Sequence, residues 1–148
     1  MKSITIVLLG LTLASCQNWW PGSNKKNADM LQLFTVEQTP TPPDKQLIDK
    51  TYVLDFAIVD PVELRPEEAS ALYAALDDTD NYTLENQKRC PFIGEYAIEV
   101  AGAFVAVLSS RPCSKVQMMR VDEKEIRHLE LIEHNAVEVV VAGLRKNL

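Results

Sequence analysis

The sequence predicts an α+β domain with a largely antiparallel sheet and about two helices, braced by one disulfide. Three observations support this. Residues 95–108 have the pattern of a β-hairpin, residues 66–77 that of a helix, and no repeated βαβ unit occurs. With 148 residues, of which 47% are hydrophobic, the chain has enough material for one core but not comfortably for two.

The first strong pattern begins at residue 51. Alternating side chains over residues 52–58 predict a mostly buried strand that ends at Asp60-Pro61. Pro66-Glu67-Glu68 is typical of a helix start, because proline lacks an N–H that would be unpaired there and the carboxylates meet the positive end of the helix dipole. We expect this helix to stop within the acidic residues 77–80.

The hairpin also predicts the disulfide. Residues 95–101 alternate cleanly, and residues 104–108 return after a turn at Gly102. With a two-residue loop at this turn, Cys90 lies directly opposite Cys113, and slipping the loop by one residue leaves the two cysteines diagonal but still close. We therefore expect a structural Cys90–Cys113 disulfide, and a reactive redox pair is the alternative.

The C-terminal third predicts three further elements. Residues 115–121 form a candidate strand. Residues 122–135 have apolar side chains at helical spacing, with Asp122 as the cap, and they predict the second helix. The β-branched residues 137–141 predict a last strand that closes at Gly143.

The N-terminus has the features of an export signal. Lys2 precedes the apolar run Ile4–Leu13, which spans roughly 15 Å as a helix and is too short to cross a bilayer. Leu13-Ala14-Ser15-Cys16 resembles the lipobox of bacterial lipoproteins. This resemblance implies cleavage before Cys16, a diacylglyceryl thioether on its sulfur and acylation of its amine. In Gram-negative lipoproteins an aspartate directly after the cysteine commonly retains the protein at the inner membrane. The residue here is Gln17, so for a Gram-negative host the resemblance favours the outer membrane, facing the periplasm.

We accordingly divide the chain into a signal peptide (1–15), a lipidated N-terminus with a proline-containing linker (16–50) and a globular domain (51–148). The linker contains the extended break Thr39–Pro43, and residues 27–36 are compatible with one short helix. A chain that begins near Asp44 is therefore expected to keep nearly all of the stability.

Charge and side-chain chemistry exclude several classes of function. The net charge of −6, without a Lys/Arg cluster, argues against binding to nucleic acid. His128 and His134 lack the spacing of a metal site. The acidic residues Asp77, Asp78, Asp80 and Glu85 lack the spacing of a calcium loop. No catalytic-triad pattern surrounds Ser109, Ser110 or Ser114. We assign no catalytic, cofactor-binding or metal-binding residue.

These features favour a non-catalytic lipoprotein, held on a membrane by lipid on Cys16, whose domain binds an envelope protein. One alternative is a lipid-anchored periplasmic enzyme or an inhibitor of one, which would show a cleft with converging titratable groups. Another is a small-ligand carrier, which would show a deep apolar pocket inside the sheet.

Overall fold

The structure, a computed structural model, describes residues 25–83, 89–132 and 136–146. Two short 3-10 helices, Pro43–Lys45 and Thr79–Asn81, lie between the main elements of the described residues. The main elements are two long helices, a single-turn helix and eight strands. In chain order they are α1 (Lys25–Ala28), β1 (Leu31–Val36), β2 (Tyr52–Val53), β3 (Phe56–Val62), α2 (Pro66–Asp77), β4 (Tyr82–Thr83), β5 (Tyr96–Val100), β6 (Phe104–Ser109), β7 (Lys115–Arg120), β8 (Arg127–Leu131) and α3 (Ala136–Arg145).

All eight strands belong to one sheet with the order β2-β3-β1-β5-β6-β7-β8-β4, and every pairing in it is antiparallel. The predicted α+β class with an antiparallel sheet, two main helices and one disulfide is thereby confirmed.

Strand β1 corrects the predicted linker. Leu31–Val36 is a strand rather than part of a helix, and it lies between β3 and β5 near the middle of the sheet. Its alternating side chains bury Leu31 and Leu33 in the core. Because one face of β1 is buried while both of its edges are paired, the folded unit begins well before residue 51.

The helix over 66–77 and the β5–β6 hairpin are confirmed. In the hairpin, Val100 pairs with Phe104, so the loop has three residues instead of the predicted two, and Gly102 adopts a φ of +75° within it. The strand predicted over 52–58 is interrupted. Leu54 and Asp55 have φ values of 48° and 70° and form the turn between β2 and β3. Strand β3 then continues to Val62.

The strand predicted over 115–121 is confirmed as β7, but the last two predicted elements are exchanged. Residues 127–131 form strand β8 instead of a helix, because pairing with β7 buries Leu129 and Leu131 on the same face. Residues 136–145 form helix α3 instead of a strand. Val137 and Val141 are buried while Val139 is exposed, so packing at the helical period outweighs the β propensity of valine.

The sheet has a separate core on each face. The larger core joins α2 and α3 to one face, around buried side chains such as Leu72, Ile98 and Phe104. The smaller core lies on the opposite face, where Val53 and Phe56 pack against Ala97 and Val107. The β2–β3 turn thus folds over the second face, and it brings the chain before β2 to that side of the sheet.

Candidate docking surface

The antiparallel register gives the sheet two distinguishable ends. We call one end of the sheet the entry end, because α1 leads into β1 there. The row of paired residues that marks this end crosses four strands and consists of Leu31, Val100, Phe104 and Arg120. The row Thr35, Tyr96, Leu108 and Val116 marks the far end. A strand of this length places the two rows roughly 13 Å apart.

Residues 37–51, which we call the far loop, leave β1 at the far end and return to β2. Side chains as well as backbone groups hold the loop in shape. Gln46 donates to the Thr41 carbonyl (3.2 Å) and to Asp55 Oδ1 (2.9 Å), and the Leu47 N–H donates to the Tyr52 hydroxyl (3.0 Å). The far loop is therefore an internally bonded structure and not a simple extended spacer.

The far loop presents two aliphatic side chains to solvent. Ile48 is fully exposed and Leu47 is 56% exposed. The Lys50 N–H donates to the Leu47 carbonyl at 3.2 Å, which closes a turn that begins at Leu47 and has Ile48 as its second residue. Isolated exposed aliphatics are common, but an adjacent pair in the first half of a bonded turn is suited to insertion into an apolar pocket of another protein.

The base of the far loop is packed against the segment that precedes β5. The rings of Phe56 and Phe92 lie 5.6 Å apart, and the Gly94 N–H donates to the Gln38 carbonyl at 2.9 Å. A Cβ atom on Gly94 would lie 2.5 Å from the Phe56 ring, so only glycine permits this close approach.

The predicted disulfide joins this same segment to the β6–β7 connection. Cys90 and Cys113 are bonded, with their Cα atoms 6.2 Å apart. Lys115 Nζ donates to the Cys90 carbonyl (2.9 Å), and the Ile93 N–H donates to the buried Ser109 hydroxyl (3.2 Å). The disulfide thus braces the packing on which the far loop rests.

Two ion pairs fix further parts of this region. Lys50 Nζ lies 2.6 Å from Glu37 Oε1, and this hydrogen bond raises the pKa of Lys50 above its ordinary value. Arg145 Nε donates to Glu95 Oε1 at 2.6 Å and so connects the end of α3 to the sheet. The hydrogen bond to Glu95 is also the main reason why the pKa of Arg145 is raised above its ordinary value. Each lysine or arginine of these pairs is matched to one carboxylate, as expected for structural pairs.

The other residues considered from the sequence do not converge. His128 is exposed on strand β8, so it does not lie on the helix predicted over residues 122–135. Asp78 accepts the Asp80 N–H (3.0 Å) at the end of α2, and the three serines bond to different partners around the sheet. Within residues 25–83, 89–132 and 136–146, no group of three His, Cys, Asp or Glu side chains is placed to hold a metal ion.

The predicted signal peptide (1–15), Cys16, Gln17, Glu85 and His134 lie outside the described residues. No helix in the described part of the chain is long and apolar enough to cross a membrane.

Two cavities accompany these surfaces. One, of about 360 Å³, lies near the entry end between β1, β3 and α2, and apolar residues such as Leu33, Val62 and Leu64 line it together with Asp29 and Gln32. The other, of about 80 Å³, lies beside Phe92, His128 and the buried Glu130, and has room for only a few water molecules.

Comparisons with protein-family models, with curated proteins and with solved structures give no match. The interpretation therefore depends on the residues of this chain. Sequence reasoning missed Leu47 and Ile48 as a surface feature, although one signal was present: two adjacent aliphatics stand between Asp44-Lys45 and Asp49-Lys50, outside any strand or helix pattern.

Proposed function

We propose that this protein is a bacterial lipoprotein that acts without catalysis, anchored through lipid on Cys16, and that its domain binds an envelope protein through the far loop. The observation that carries the proposal is the exposed Leu47-Ile48 pair in the first half of an ordered turn. The lipobox-like residues 13–16 supply the anchor, and Gln17 favours the outer membrane, with the domain in the periplasm.

The far loop suits this role because its shape is set before any partner binds. Gln46, Tyr52 and the Lys50–Glu37 pair already hold the turn, so little conformational entropy is lost when the exposed pair is immobilised. Apolar residues that enter a desolvated pocket contribute most of the affinity at such contacts, and charged residues around them contribute little. The expected partner surface is thus an apolar pocket with a polar margin.

The anchor is tested by metabolic labelling with a palmitate analogue. The wild-type chain should be labelled and Cys16→Ser should not, because the thioether requires that sulfur. Equal labelling of both chains would refute lipid attachment at Cys16.

Docking is tested with a photoreactive amino acid placed at Ile48 in cells, with Val59 as the matched control. Val59 is also an exposed aliphatic residue, at 54%, but it lies in β3 outside the far loop. A discrete adduct should form from position 48 only, and Leu47→Asp should abolish it while leaving the melting temperature unchanged. Equal adducts from both positions, or an adduct that survives Leu47→Asp, would refute docking through the far loop.

A further inference from the structure

The entry end of the sheet carries an uncharged rim, which consists of Met30, residues 101–103 and Val121. Met30 directly precedes β1 and Val121 directly follows β7. The β5–β6 turn lies between them, and the Val121 N–H donates to the Ala103 carbonyl at 3.0 Å. Because β1 and β7 are three strand spacings apart, this rim spans roughly 14 Å.

The rim is exposed and apolar at both of its ends. Met30 is 46% exposed and Val121 is 64% exposed, and between them Ala101 and Gly102 are also exposed. No residue of the rim carries a charge. A surface of this composition fits the boundary of a lipid bilayer better than bulk water.

The chain enters the domain at this same end and is fixed there. Ala28 of α1 is buried in the helix-side core, and Asn27 Nδ2 donates to the Tyr73 hydroxyl at 3.4 Å. Cys16 is nine positions before Lys25, the first residue of α1. A chain of that length reaches at most about 30 Å even when fully extended, so a lipid on Cys16 holds the start of α1 within that distance of the membrane surface.

Charges beside the rim indicate which lipid surface it suits. Asp29 and Asp122 are exposed next to its two ends, and the whole chain has a net charge of −6. Arg120 Nε lies 3.2 Å from Asp122 Oδ1, so this arginine is occupied within the domain. An anionic surface would repel these carboxylates, whereas a zwitterionic surface would not.

We infer that the rim formed by Met30, residues 101–103 and Val121 rests on a zwitterionic phospholipid surface, so that the entry end faces the membrane and the far loop faces away from it. This inference rests on the proposed lipid anchor at Cys16. It adds an orientation, because the far loop, which contains Leu47 and Ile48, leaves β1 at the end opposite the rim.

The test uses the lipidated full chain in phosphatidylcholine vesicles that contain a nitroxide-labelled lipid. An environment-sensitive dye is attached at Val121→Cys and, as the matched control, at Val139→Cys. Val139 in α3 has nearly the same exposure, at 67%, and its neighbour Glu138 contacts Ser114 near the far end. Quenching should be several times stronger at position 121 than at position 139.

A second variant excludes an effect of replacing Val121 itself. With the dye at Ala101→Cys, the substitutions Met30→Glu and Val121→Glu should reduce quenching, because they charge both ends of the rim. Flotation of the same vesicles reports the anchor separately. Protein that floats but shows equal or no quenching at positions 121 and 139 overturns the inference and leaves the anchor intact. Protein that does not float overturns both.

Discussion

Leu33→Ala offers the sharpest test of whether residues 31–36 belong to the domain or to a tether. Leu33 is only 2% exposed and pairs with Ile98 of β5 on one side and with Val62 of β3 on the other. It belongs to the larger core beneath α2 and α3. A leucine in a flexible tether would make none of these contacts.

The expected cost follows from this burial. Full burial of a leucine side chain contributes about 1.5–3 kcal/mol, and the cavity left by truncation adds to the loss. We therefore expect Leu33→Ala to reduce the free energy of unfolding by about 3 kcal/mol, which corresponds to a fall of roughly 10 °C in melting temperature for a domain of this size. With the disulfide intact, urea denaturation measures the free energy of unfolding and a thermal melt measures the melting temperature, both followed by circular dichroism.

Gln32→Ala is the matched control, because Gln32 is the preceding residue of β1 and its side chain is exposed. This change should cost less than about 0.5 kcal/mol. If Leu33→Ala is as mild as Gln32→Ala, β1 does not pack as described, and residues 25–50 revert to a linker. For the same reason, a chain that begins at Asp44 lacks a central strand and should fail to fold, in contrast to the expectation from the sequence.

Three further tests, at Asn81, at the disulfide and at Gly94, probe other parts of the fold by the same denaturation assay. Asn81→Ala removes a buried hydrogen bond to the Ala75 carbonyl of α2 and a partly buried one from the Ala136 N–H of α3, and it should cost about 1–3 kcal/mol. A neutral result would contradict this bridge between the helices. Replacing both Cys90 and Cys113 by serine should cost about 3 kcal/mol and speed amide exchange in the far loop, whereas unchanged exchange would show that the loop does not depend on the disulfide. Gly94→Ala should reduce the free energy of unfolding by about 1–3 kcal/mol through overpacking. The control Gly143→Ala lies in α3 with open space around it and should stabilise the domain by up to about 1 kcal/mol. Equal effects of the two substitutions would refute the close approach at Gly94.

Several parts of the fold were determined by short stretches of sequence. The hairpin around Gly102 follows from the alternation on both sides of one turn residue, and α2 follows from Pro66 with its acidic first turn. The Cys90–Cys113 pairing follows from the hairpin register. The hairpin loop is one residue longer than predicted, and the two cysteines still lie close enough to bond. In each case the informative residues are neighbours in the chain, so local pattern and register suffice.

The tertiary structure alone decided the rest. Residues 126–132 have apolar side chains at a spacing that fits a helix, yet pairing with β7 makes residues 127–131 a strand. Val137 and Val141 favour a strand by propensity, yet packing against α2 makes this segment a helix. The pattern of residues 27–36 is compatible with a short helix, and the place of Leu31–Val36 between β3 and β5 depends on partners that lie far along the chain. The exposure of Ile48 and the opposite placement of the rim and the far loop likewise depend on which strands pair. Pairing between distant segments releases free energy that exceeds the small differences in local propensity, and a single sequence does not display which distant segments will meet.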